Sequence, residues 1–183
     1  MTTFTLHTSA ASPGLDEFVD AIRASLHDPG DWAAAAASVG DAVRAHLPAP
    51  SILDAAQRAG SPERAPGHRL HIEPDGSFSV LAIVWRQDQW TAIHDHVTWC
   101  VFATMLGEPV EDAFTLGGAG DVLIPAGRQA CPAGTVSGGA PPGDIHRLGN
   151  PHAETAITLH VYGTDVSRIG SSVRRTYDLP VIR

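Results

Sequence analysis

Residues 93–100 read Ile93-His94-Asp95-His96-Val97-Thr98-Trp99-Cys100, and residues 141–150 read Pro141-Pro142-Gly143-Asp144-Ile145-His146-Arg147-Leu148-Gly149-Asn150. In an extended strand, residues i and i+2 point to one face, so the His94 and His96 imidazoles project together. Two ring nitrogens at that spacing can grip one metal ion. A His-x-His pair alone is a weak signal, and its surroundings decide how it is read.

Those surroundings are β-rich. From residue 68 onward, short β-branched runs alternate with Gly, Pro and Asp turns. The expected strands are 69–73, 78–85, 91–94, 98–106, 112–116, 121–124, 145–148, 156–162 and 173–179. Pro74-Asp75-Gly76 is a hairpin turn. Many short strands at this spacing indicate a sandwich or a barrel. With 18 Gly and 14 Pro, the composition favours turn-rich β structure over a helical bundle.

The first third is helical in pattern. Leu15, Phe18, Val19, Ile22 and Leu26 form one apolar stripe at three- and four-residue spacing, between Ser12-Pro13-Gly14 and Pro29-Gly30. A second helix is expected from an Asp31 N-cap to about Ala45, with Val39, Val43 and Leu47 on one side. Ser51 followed by Asp54 resembles a capping box opening a third, short helix. The chain reads as one domain, 1–183, with a helical region 1–67 packing on a β-barrel 68–183.

The 183 residues carry a formal net charge of −8, with 12 Lys plus Arg against 20 Asp plus Glu. A nucleic-acid surface needs clustered cations, so that class is set aside. Hydrophobic residues make up 43%, which argues against disorder. Ten His beside two Cys exclude a disulfide scaffold and a Cys-rich zinc module. No basic, apolar leader and no bilayer-length apolar run is visible, and two Cys fit a reducing compartment, so a cytoplasmic protein without membrane contact is expected.

The two quoted segments resemble the paired motifs of the cupin superfamily. The second, Pro-x-Gly, two residues, His, three residues, Asn, is complete as Pro141, Gly143, His146 and Asn150. The first carries Cys100 where the usual Glu stands, and Asp88 replaces the usual leading Gly. The resemblance implies a double-stranded β-helix, or jelly-roll barrel, and an all-His metal site of His94, His96 and His146. A site without carboxylate leaves the ion's full charge for an anionic ligand such as a thiolate. This is the logic of the thiol dioxygenases, and the segments around His94 and His146 resemble bacterial members of that family.

Thr158-Leu159-His160-Val161-Tyr162 resembles that family's Ser-x-His-x-Tyr relay, with Thr158 keeping the hydroxyl. Spacing of two puts all three side chains on one face. The residues alone also suit an ordinary amphipathic strand. Bacterial members usually carry Gly at the place of Cys100, whereas animal cysteine dioxygenases carry a Cys linked to the relay Tyr. A Cys100–Tyr162 thioether is therefore one reading, and a small buried hydrophobe the other. The family's Tyr-x-Arg carboxylate anchor is absent. Arg69 stands near its place and Arg168 follows the relay, so these two are the preferred anchors ahead of Arg86 and Arg128.

The resemblance implies an Fe(II) enzyme, with nickel or zinc as alternative metals, that takes a small thiol such as L-cysteine and O2 to a sulfinic acid. A sulfonamide-forming cupin oxygenase and a non-oxygenase cupin, isomerase or binding module, are the alternatives. The oligomeric state is not legible in the sequence.

Overall fold

The computed structural model describes residues 13–26, 30–118 and 120–182. Ser12, His7, His27 and Pro29 lie outside the described residues. Helix α1 (Pro13–Ser25) and helix α2 (Trp32–His46) pack against each other. Asp31 caps α2, its side chain accepting from the Ala34 amide. The short helix α3 (Ala55–Ala59) is capped by Asp54, whose partner in a reciprocal capping box is Gln57. Ser51 belongs instead to a 3-10 turn, Pro50–Ile52. Leu53 between them is extended and fully buried, which separates the two elements.

Eleven strands follow among the described residues: β1 (Gly67–Ile72), β2 (Ser79–Trp85), β3 (Gln89–Trp90), β4 (His94–His96), β5 (Cys100–Leu106), β6 (Val110–Gly117), β7 (Val122–Ala130), β8 (Val136–Gly139), β9 (His146–Asn150), β10 (Ala156–Tyr162) and β11 (Val173–Thr176). A helix α4 (Val166–Ile169) precedes β11. One sheet has the order β1-β2-β10-β5-β8, the other β11-β4-β9-β6-β7. The pairings are nested: β2 with β10, β4 with β9, β5 with β8, and β6 with β7, all antiparallel. A long two-stranded ribbon wound on itself produces this order, which is that of a jelly roll.

Two strands differ from the sequence reading for physical reasons. Strand β7 runs on to Ala130 past Pro125, where the sequence reading ends at Ile124. It lies at the edge of its sheet, where a missing N–H breaks no ladder. Strand β8 was not expected, because its Gly138-Gly139 pair reads as a turn. A Cβ on Gly138 would meet Val101 Cγ2 at 2.9 Å, so close strand approach requires the glycine. Of the expected strand at 91–94 only His94 lies in a strand, β4, which runs on to His96 as the His-x-His spacing requires; β3 precedes it at 89–90, and the strand expected at 98–106 begins at Cys100 as β5.

The period of two divides the first sheet cleanly. Val80, Ala82, Val84, Val101, Ala103, Leu159 and Val161 face outward and share one core with Phe18, Ile22, Val39 and Val43 of α1 and α2. Leu81, Trp85, Cys100, Phe102 and Tyr162 face the barrel interior. The helices thus cover one face of this sheet, and its other face is left for the site.

Candidate metal centre

His94 and His96 project from β4, and His146 from β9, where it stands directly opposite His94. One ring nitrogen from each of the three lies within 4.8 Å of the others. The ring centroids are 4.8 Å apart for His94 with His96 and with His146, and 5.1 Å for His96 with His146.

Each ring has its Nδ1 engaged by an acceptor. His94 Nδ1 donates to the Ala92 carbonyl (2.9 Å), His96 Nδ1 to Asp144 Oδ2 (3.0 Å) and His146 Nδ1 to Glu111 Oε1 (2.7 Å). With the proton on Nδ1, each Nε2 keeps a lone pair for the shared centre. This donor set fits a divalent transition metal. Burial, then the neighbouring His146 and His96, push His94 down to about 3. Burial likewise lowers His96, against the pull of Asp144. Both therefore stay neutral at neutral pH, the form that binds metal.

The two carboxylates are charged and largely shielded, their side chains 12% exposed for Glu111 and 5% for Asp144. Burial raises the Glu111 carboxyl, but hydrogen bonds from His146, Gln129 and Ser137 outweigh it, and the net shift is downward. Asp144 behaves in the same way through the His96 ring and backbone N–H. Glu111 and Asp144 are site residues that the sequence reading did not assign. Asp144 was visible two residues before His146. Glu111 carries no local signal, since it is 35 residues from its partner.

A cavity of about 210 Å³ adjoins the cluster, its wall including His96, His146, Glu111, Asp144, Cys100 and Phe102. Cys100 stands directly opposite Tyr162 in the β5–β10 register, and the two share one apolar cluster. Burial pushes the Cys100 thiol well up, with Glu111 and Asp144 adding to it, so it rests as a neutral thiol.

Thr158, His160 and Tyr162 lie on the inward face of β10. Thr158 Oγ1 is 2.8 Å from His160 Nε2, and Tyr162 Oη is 3.3 Å from His160 Nδ1. The Tyr162 ring lies 6.0 Å from that of His96. Burial holds the His160 imidazole down to about 3 and pushes the Tyr162 phenol upward.

No family model matches the chain. Among solved structures it is similar to the capsular polysaccharide assembling protein CapF from Staphylococcus aureus, at 15% identity and a TM-score of 0.50, over 67% of this chain and 34% of that one. It is also similar to a Cupin 2 conserved barrel domain protein from Salinispora arenicola CNS-205, at 21% identity and a TM-score of 0.42, over 58% and 80% of the chains. A third is a sugar phosphate isomerase from a cupin superfamily of Silicibacter pomeroyi, at 19% identity and a TM-score of 0.36, over 46% and 49%. At such identities the likeness concerns fold alone, and the strand order carries the assignment. The fold is that of a cupin.

The remaining cupin-motif positions have structural duties. Asp88 adopts φ 59°, the left-handed conformation for which glycine is usual. Asn150 is fully buried, donates to the Trp85 and Glu154 carbonyls and accepts from the His152 amide, which ties off the β9–β10 turn. Arg69 lies on β1 opposite Leu81, on the inward face, half-buried, and makes no hydrogen bond or ion pair among the described residues. Arg168 is exposed on α4, and neither arginine lines the cavity. Cys131, expected in a loop, follows the end of β7 and is fully buried. Asp95, between the two ligand histidines, faces the other way and is bound by Arg174, Arg175 and Tyr177 of the C-terminal segment. No helix among the described residues is long and apolar enough to cross a membrane.

Proposed function

We propose that this cupin is a metal-dependent thiol dioxygenase, with His94, His96 and His146 holding ferrous iron and a small thiol such as L-cysteine as substrate. The observation that carries the reading is the pairing of a three-histidine group with a buried Thr158–His160–Tyr162 chain, whose phenol ring lies 6.0 Å from the His96 ring. Iron bound there would supply the redox centre that brings thiol and O2 to reaction.

The chain's own residues do the rest. Glu111 and Asp144 hold two ligand rings in one tautomer and orientation. Tyr162 offers a buried hydroxyl beside the cluster, its ring 6.0 Å from that of His96. Arg69 is the candidate anchor for a substrate carboxylate: it lies outside the cavity wall but on the inward face of β1, and has no hydrogen bond or ion pair among the described residues. The net conversion adds both atoms of O2 to sulfur, thiol plus O2 giving sulfinic acid.

The test is anaerobic iron loading followed by an oxygen-electrode screen of cysteine, mercaptopropionate and cysteamine, with mass analysis of products. Uptake with a product about 32 mass units heavier than the thiol supports the reading, as addition of O2 requires. No uptake with any of these thiols overturns it. His146→Ala is expected to abolish both metal retention and turnover.

A further inference from the structure

A buried hydrogen-bond chain reaches further back than the three relay residues. Trp85 Nε1 donates to Thr158 Oγ1 at 2.8 Å, and the same oxygen is 2.8 Å from His160 Nε2. Trp85 is 2% exposed and Thr158 fully buried. Phe102 lies alongside His160, the ring centroids 5.7 Å apart and the planes inclined by 27°.

We infer that Trp85 is a positioning residue that sets the direction of this chain, so that Tyr162 faces the metal site as a hydrogen-bond donor. The inference rests on the relay role proposed above. An indole N–H only donates, so Thr158 Oγ1 must accept from it. The hydroxyl hydrogen of Thr158 then needs an acceptor. Among the described residues His160 Nε2 is the one in reach, and the cross-strand hydroxyl of Thr104 makes no hydrogen bond. A buried donor left unpaired costs about 1–3 kcal/mol.

Thr158 therefore donates to His160 Nε2. A neutral imidazole with Nε2 as acceptor carries its hydrogen on Nδ1. Nδ1–H then donates to the Tyr162 oxygen, 3.3 Å away. The phenol accepts from the relay and does not spend its own proton on His160; the buried Ser172 is its other side-chain hydrogen-bond partner. In the opposite direction Tyr162 would spend that proton on His160 and face the site only as an acceptor. Each donated bond also polarises the next, so the indole strengthens the chain from its far end.

The experiment is nitrogen-15 NMR of histidine-labelled, zinc-loaded protein without thiol, with His160 assigned by its loss in His160→Gln. The expected result is an Nδ1–H tautomer for His160. It should persist in Thr158→Ser, which keeps the hydroxyl, and shift toward averaged ring-nitrogen values in Trp85→Phe, which removes the donor. An Nε2–H tautomer in the wild-type protein overturns the inference even if the variants do not fold. An unchanged His160 spectrum in Trp85→Phe overturns the part given to Trp85. No turnover enters this measurement, so its failure is distinct from failure of the oxygen-uptake test.

Discussion

The Glu111 carboxylate on β6 receives the Nδ1 proton of His146 on β9 at 2.7 Å, and Gln129 and Ser137 hold its other oxygen. The cupin motif usually places a carboxylate on the metal itself, at the position of Cys100. Here the negative charge stands one imidazole away, and Asp144 does the same behind His96. The three histidines offer no charge of their own, yet two carboxylates would partly balance a divalent ion held by them.

Glu111→Ala is therefore expected to weaken metal binding about tenfold to hundredfold, the usual effect of removing a ligand's hydrogen-bond partner. Glu111→Gln keeps an acceptor without the charge and should fall between. Competition titration with zinc or cobalt measures both. Wild-type affinity in Glu111→Ala would show that His146 does not depend on it.

Arg69→Ala should raise KM for thiols that carry a carboxylate by about ten- to hundredfold, since charge-assisted hydrogen bonds contribute about 1.5–3 kcal/mol. KM for cysteamine, which has no carboxylate, should barely move. A parallel rise for both substrates would remove Arg69 as the anchor.

Cys100 and Tyr162 are direct cross-strand neighbours, so iron-loaded protein turning over in air is expected to form a Cys100–Tyr162 thioether. The bond replaces one S–H and one ring C–H, and O2 takes the two hydrogens. Peptide mapping of active enzyme checks it: free Cys100 with unmodified Tyr162 would rule the link out.

Asp95 anchors the C-terminal segment to β4, and its side chain is 1% exposed while Arg174 and Arg175 remain about half in solvent. Burial opposes its ionisation, but hydrogen bonds from Arg174, Arg175 and Tyr177 hold it well below the usual carboxylate range. Its contribution is thus present above the unfolded-state value of about 4 and is lost as pH falls through the folded one. Asp95→Asn should cost about 1–3 kcal/mol at pH 7, reduced from a fully buried pair because the arginines are solvated. Urea midpoints should converge between variant and wild type as the pH drops below about 4.

His160 has the opposite ionisation but the same sense in pH. Burial holds it neutral, with a folded value of about 3 against about 6.5 unfolded. The unfolded chain binds the proton first. Stability from this residue is complete above about pH 6.5 and falls progressively toward pH 3, by about 1.4 kcal/mol at pH 5.5. Metal-free His160→Gln should lose that much less stability between pH 7.5 and 5.5. An identical pH dependence would mean that His160 is not buried neutral.

The sequence by itself determined what repeats over short spans. The spacing of Leu15, Phe18, Val19 and Ile22 marks a helix face, and the spacing of His94 with His96, or of Thr158, His160 and Tyr162, marks a strand face. These periods of 3.6 and 2 are properties of the local backbone, so they are legible without a partner. His146 was legible only as part of a motif, because its place opposite His94 is a matter of strand pairing. Tertiary structure alone decided that Glu111 backs His146, that Trp85 donates into a chain 73 residues away, and that Asp95 turns from the site toward Arg174 and Arg175. It also decided that Gly138 and Pro125 lie in strands, where local propensity reads turns. The reason is common to all of them: cross-strand register and edge position arise from how the ribbon is wound, and a side chain's own neighbours in sequence do not carry that information.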